Sequence, residues 1–216
     1  MNHRPANPVA AFAESPPTRR AMAKQRTRQR LLDAARRLFA ERGYEAATVR
    51  DIAAAADLST GAVFASFADK AELFTEVIIS DYEQLADRMS ALELETLPAR
   101  DALMQIFATA YQNQIEQLGL IQAAISFSWQ RDHTAELRSR QGMKLLTSLL
   151  SGVLQRGVLS GELSDQLDVR LTTEMLWDCY MANYRRAIFD HWDAKALCER
   201  LSAQLDLMLA GFRAAA

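Results

Sequence analysis

The sequence predicts an all-α chain: an N-terminal three-helix head in helix-turn-helix order, followed by a larger helical domain. Three observations carry this. Past residue 20 only Pro98 interrupts the chain, and only 8 of its 216 residues are glycine. Apolar residues recur with the 3.6-residue period of a helix in segment after segment. No stretch alternates apolar and polar side chains long enough to argue a strand. Half of the residues are apolar, enough to bury a sizeable core in one small and one medium domain.

Within the head, Leu31, Leu32, Ala35, Leu38 and Phe39 lay one apolar stripe along a helix whose other face carries Arg36, Arg37 and Glu41. Gly43 is its expected C-cap. Thr48, with Asp51 three residues on, forms a capping signal that starts a second short helix near Val49. Asp57 tolerates a left-handed turn, and Ser59 is a preferred N-cap for a third helix over about 60–67. Gly61 in that helix costs about 1 kcal/mol relative to Ala, which suggests close packing or close approach to a ligand backbone. Asp69, with Glu72, then opens a long helix at Lys70.

These residues resemble the amino-terminal domain of the TetR family of bacterial transcriptional regulators. The resemblance rests on Leu32, Ala35, Leu38, Phe39, Gly43, Tyr44, Thr48, Val49, Ile52, Ala53, Ser59, Gly61, Phe64, Phe67, Lys70, Leu73 and Phe74. It covers about a quarter of the chain. Beyond it, only length and helical character match. The chain departs from the family pattern at the turn, where Asp57 replaces the usual Gly. Phe64 stands where a phosphate-binding Tyr is common. Thr60 replaces a frequent Lys, and Ala65 and Ser66 replace bulkier residues, so the reading face is sparse. The resemblance implies that Ser59, Thr60, Val63 and Ser66 face the major groove of an operator, on a helix that also carries Gly61, Ala62 and Phe64. Thr48, Arg50 and Lys70 would sit on phosphates.

Charge supports this division. Residues 1–70 hold twelve Lys or Arg against seven Asp or Glu, and residues 71–216 hold thirteen against twenty. Lys24, Arg26 and Arg28 adjoin the first helix and are expected to contact DNA. Arg4, Arg19 and Arg20 suit either a phosphate-binding arm or a solvated tail. Residues 1–20 hold four of the five prolines and no helical pattern, so they are expected to be a disordered tail. Their apolar run is too short for a signal peptide. The longest uncharged stretch, 117–130, falls short of the ~18 apolar residues of a membrane span, so a cytoplasmic protein with no membrane partner is expected. Cys179 and Cys198 have no companions, which points to buried free thiols.

From Lys70 onward, helices are expected at about 70–92, 98–117, 119–130, 133–156, 166–190 and 193–213. Domains are accordingly placed at 1–20 (tail), 21–70 (head) and 71–216 (helical domain). Leu197, Leu201, Leu205, Met208 and Phe212 form one apolar stripe, and Leu171, Met175, Leu176, Cys179 and Ala182 another. In the family resembled, the last two helices pair with their two-fold mates as a four-helix bundle, so a homodimer is expected; covering the monomer's own core is the other reading.

The resemblance also implies a small-molecule pocket among the middle helices. Candidate walls are Met104, Phe107, Tyr111, Phe127, Trp129, Trp177, Tyr180, Met181 and Tyr184, which suit an apolar or aromatic effector or, singly, an ordinary core. Glu174 and Asp178 suit either a cationic ligand or a solvated face. His133 and His191 lack second ligands and read as surface or capping residues. No metalloprotease, phosphate-loop or dinucleotide motif is present, so no metal, cofactor or catalytic residue is expected. The expected mechanism is repression by operator occupancy, relieved when an effector changes the spacing of two heads. A ligand-independent regulator, an activator and a protein-docking module with a DNA-binding head are the alternatives.

Overall fold

The computed structural model describes residues 18–212, and within them the chain is helical without strands. Nine α-helices follow in order: α1 (Arg19–Ala46), α2 (Val49–Ala55), α3 (Thr60–Phe64), α4 (Lys70–Ser90), α5 (Ala99–Gln114), α6 (Leu118–Ser128), α7 (His133–Leu159), α8 (Val169–Asp190) and α9 (Ala194–Leu209), with a 3-10 turn at Ile115–Gln117 between α5 and α6. The expected tail 1–20 lies almost wholly outside the described residues. Its last three do not: α1 starts at Arg19, with the Thr18 hydroxyl accepting from the Ala21 amide.

Local chemistry places the ends of these helices. Gly43 adopts φ 76°, ψ 172° and breaks α1 where the C-cap was expected; one more turn runs on to Ala46. Thr48 and Asp51 close a reciprocal capping box at α2. Ser59, Asp69, Asp132, Asp168 and Asp193 each accept the backbone N–H three residues on. Asp57 takes φ 51° in the α2–α3 turn, and His191, at φ 55°, caps the end of α8. Gly61 is exposed, with only Ser59 Oγ at 3.6 Å from the position of an added Cβ, so close packing within the chain is not its role.

Two cores organise the packing. The first joins Leu31, Ala35, Leu38 and Phe39 of α1 to Ile52, Val63 and Phe67, and also takes in Leu73, Phe74, Val77 and Ile78 of α4 with Leu120, Ala124 and Phe127 of α6. The head is therefore completed by the first half of α4 and by α6, although residue 70 was the expected boundary. A ring cluster sits at this joint: Phe74 meets Phe39 edge-on at 4.8 Å and Phe127 at 5.0 Å, and Tyr44 lies 4.6 Å from Phe127. Each buried Phe contributes about 1.5–3 kcal/mol. α6 approaches α1 so closely that a Cβ on Gly119 would lie 2.0 Å from the Ala40 carbonyl oxygen.

The second core is the helical domain itself, centred on Leu103, Ile106, Phe107, Tyr111, Leu154, Leu176, Tyr180, Tyr184, Leu197, Leu201 and Leu205. α5 is tied to α9 by a two-pronged ion pair: Arg100 Nε and Nη2 donate to the two Asp206 oxygens at 2.8 Å each.

Candidate nucleic-acid interface and effector cavity

α3 is short, so its orientation depends on what holds its ends. Arg30 of α1 reaches the α2–α3 turn, donating to the Ala56 carbonyl at 2.6 Å and the Asp57 carbonyl at 3.3 Å. Arg28 holds the other end. It donates to the Ser66 carbonyl at 3.0 Å, lies 4.3 Å over the Phe67 ring and pairs with Glu76 of α4. Two arginines two residues apart on α1 thus clamp α3 at both ends. The sequence alone assigns Arg30 no role of its own; a cation two residues from Arg28 is the available signal.

The clamp corrects the expectation for Arg28, whose guanidinium is engaged by its own chain rather than by an open phosphate site. Lys70 is corrected in the same direction: its ammonium donates to the Tyr44 carbonyl at 3.0 Å and lies 4.3 Å over the Tyr44 ring, capping the end of α1. Val63 is buried in the head core and cannot face a groove. Ser66 is half-buried, with its hydroxyl donating to the Ala62 carbonyl at 3.0 Å.

The outward face of α3 consists instead of Ser59, Thr60, Gly61 and Phe64, with Ala62 half-buried at its edge. Phe64 is 58 % exposed, a large apolar surface on a helix that buries its other side. Lys24, Arg26, Thr48 and Arg50 are exposed, and the Thr48 hydroxyl also donates to Asp51 at 2.7 Å.

Charge pairs join the head to the larger domain. Arg138 of α7 pairs with Glu72, at 3.1 Å, and with Glu76, the same carboxylate that holds Arg28. The Ala68 amide and Arg138 hold the Glu72 carboxyl below its ordinary range. A second path begins at Arg36, whose Nη1 lies 2.8 Å from Asp81. Gln114 donates to Asp81 at 3.3 Å and accepts from the hydroxyls of Tyr180 and Tyr184. Beyond them, Tyr111 donates to the Tyr180 carbonyl at 3.3 Å, and the buried Asn183 donates to Tyr111 and to Gln204 of α9 and accepts from Arg200. Hydrogen bonds therefore run from α1 through α4, α5 and α8 to α9.

The expected effector walls divide. Trp177, Tyr180 and Met181 line one cavity with Ile78, Tyr82 and Leu120, between α4, α6 and α8. Its free volume is only about 20 Å³, room for about one water. Burial pushes the Tyr82 phenol up to about 12. Phe107, Tyr111 and Tyr184 are buried core, and Met104 packs against it. Two expected walls lie away from this cavity. Trp129 is 88 % exposed after α6, and Phe127 belongs to the ring cluster of the head joint. Glu174 is exposed and paired with Arg170 at 3.0 Å, and Asp178 opens onto the α8–α9 groove instead.

That groove, about 590 Å³, runs past Cys179, Ala182, Phe189 and Arg200. Leu197, Leu201 and Leu205 are fully buried within the monomer, so the α9 stripe read from sequence faces its own core. The outward apolar residues are Leu171, Met175 and Phe189 of α8 and Leu207 of α9, the last two 65 % and 78 % exposed. Cys179 and Cys198 are free and half-buried, and burial raises both thiols. Among the described residues no cluster of His, Cys, Asp or Glu is arranged to hold a metal, and no helix is long and apolar enough to cross a membrane.

The comparisons with known proteins meet this geometry at the head. Residues 31–77 match the family model described as bacterial regulatory proteins, tetR family. The chain is 29 % identical over 170 residues to the HTH-type transcriptional repressor KstR2 of Rhodococcus jostii, covering 76 % of this chain and 80 % of that protein. The repressor AcnR of Corynebacterium efficiens is 45 % identical over 64 residues, 30 % of this chain and 34 % of that protein. The crystal structure of FadR from Bacillus subtilis in complex with stearoyl-CoA superposes with a TM-score of 0.74 over 85 % of this chain and 98 % of that one, at 23 % identity. Residues 31–77 thus form a head of the tetR family of bacterial regulatory proteins, on a chain that shares its helical fold with solved regulators.

Proposed function

We propose that the chain is a homodimeric transcriptional repressor that occupies operator DNA through α2 and α3 and is released by a small effector bound in the helical domain. The observation that carries this reading is the double clamp on α3: Arg28 and Arg30 fix a five-residue helix so that Thr60, Gly61 and Phe64 project outward. A helix of that length has no stable orientation by itself. Exposed Lys24, Arg26 and Arg50 supply phosphate contacts, and Phe64 offers an apolar face suited to thymine methyl groups.

Dimerisation is assigned to the outward face of α8 and α9, through Leu171, Met175, Phe189 and Leu207. Effector response is assigned to the cavity beside Trp177, because the polar path from Arg36 to Tyr180 passes along its wall. The relatives named as repressors, and the solved neighbour holding an acyl-CoA, support a ligand-responsive repressor rather than an enzyme. The test is retardation of duplex DNA from upstream of the chain's own gene, at fixed salt with excess competitor. Sequence-specific retardation is expected. Binding without sequence preference at every salt concentration would count against the reading.

A further inference from the structure

Beside the apolar cavity lies a polar cleft lined by Arg36, Gln84, Arg88, Asn113, Gln114 and Gln117. The two voids share the side chains of Asp81 and Gln114, so they are neighbouring lobes. Arg36 is half satisfied: Nη1 pairs with Asp81, while Nη2 is buried and has no hydrogen-bond partner among the described residues. A buried guanidinium donor left unpaired carries an uncompensated desolvation penalty, so it favours an acceptor. Arg88 stands across the same cleft and donates to Asn113. Two guanidinium groups thus face one carboxylate.

We propose that these lobes form a single amphipathic site for a compact apolar carboxylic acid, with the carboxylate on Arg36 Nη2 and Arg88 and the apolar body beside Trp177 and Met181. The inference rests on the effector-responsive reading above and names the chemistry of the effector. Planar carboxylate matches the guanidinium fork. A thioester or amide carries no charge at that end of the chain and leaves both arginines unneutralised. Each lobe holds only about 20 Å³ free, so occupancy must move its walls. Met181 is flexible and half-buried, and it yields on one side. On the other, the ligand carboxylate competes with Asp81 for Arg36. Burial raises the Asp81 pKa, and Arg36 and Gln114 oppose that shift. Arg36 belongs to α1 of the head and Asp81 to α4, so a second carboxylate sharing Arg36 with Asp81 changes the α1–α4 contact.

The experiment is titration calorimetry of the full-length protein with octanoate and 3-phenylpropanoate, each against its primary amide and against octanoyl-CoA. At least one acid is expected to bind tenfold or more tightly than its amide and than the thioester. Arg88→Gln, at an exposed position, is expected to weaken the acid about tenfold and leave the amide unchanged; Arg36→Gln does the same if it folds. Equal binding of acid and amide, preference for the thioester, no binding of any probe, or an Arg88→Gln variant indistinguishable from wild type overturns the proposal. Specific DNA retardation in a protein that fails these tests leaves the regulator standing and removes only this site.

Discussion

Replacing Gly119 by Ala probes the joint between head and helical domain at its tightest point. The added methyl would lie 2.0 Å from the Ala40 carbonyl oxygen and 3.0 Å from its carbon, where ordinary contact begins at 3.4 Å. The obstructing atoms are backbone, so no rotamer change relieves them. α6 must therefore retreat from α1 by about 1.4 Å, loosening the contacts of Leu120, Ala124 and Phe127 with the head core. Overpacking of this kind costs about 1–3 kcal/mol, and the gain in helix propensity returns at most about 1 kcal/mol. With backbone as the obstacle the cost falls at the upper end of that range, so the net expectation is a loss of about 2 kcal/mol, read as a lower urea midpoint at unchanged slope. Gly152→Ala in α7 is the matched control. A Cβ there meets nothing within 4 Å, so it should gain about 0.5–1 kcal/mol. A Gly119→Ala protein as stable as wild type, or as improved as the control, would refute the close-approach argument.

Three further outcomes follow from the geometry. Arg30→Ala removes the hold on the α2–α3 turn and is expected to weaken specific DNA binding about tenfold, from hydrogen bonds to a charged donor worth about 1.5–3 kcal/mol. Its salt dependence should stay unchanged, since Arg30 acts through the turn; a shallower slope would make it a phosphate contact. Lys24→Ala and Arg26→Ala are each expected to weaken binding to all sequences alike and to flatten the logarithmic salt slope by about 0.9, as measured by titration at several salt concentrations. For pH, the folded-state pKa of Glu72 is depressed, so its stabilisation is present above the unfolded-state value of about 4.5 and is lost as pH falls through the lower folded value. Glu72→Gln should therefore destabilise the protein at pH 7 and show a smaller loss on acidification, and parallel urea midpoints from pH 7 to pH 3 would contradict it.

What the sequence made legible was what local chemistry decides. Thr48 with Asp51, Ser59, Asp69 and the left-handed Asp57 each act within three or four residues, and each is found in its expected role. Periodicity likewise placed the helices from α4 to α9 close to their observed bounds. Periodicity tells which residues share a face, not what covers it. For that reason Leu197, Leu201 and Leu205 read equally well as a dimer stripe and as core, and it is the packing of α9 against α5 and α8 that makes them core. Val63 was misplaced because a five-residue helix is too short for its buried side to show in the pattern. Arg28 and Lys70 were misread because their acceptors, Ser66 and Tyr44, are 38 and 26 residues away in sequence. Phe127 and Trp129 sit two residues apart near the end of α6, and aromatic character alone gave no means of separating a buried ring from an exposed one. The Arg36–Asp81–Gln114–Tyr180 path draws on four helices, and no spacing along the chain signals it.

The decisive measurement is selection by the full-length protein from a library of random DNA duplexes, followed by sequencing of the retained fraction. A dimer presenting two α3 helices should enrich one two-fold-symmetric motif, with half-sites about 10 base pairs or a multiple of that apart, and the enrichment should vanish when Thr60 and Phe64 are both replaced by Glu. Retention without convergence on any motif, or convergence that survives those substitutions, would contradict the assignment of α3 as the element that reads DNA.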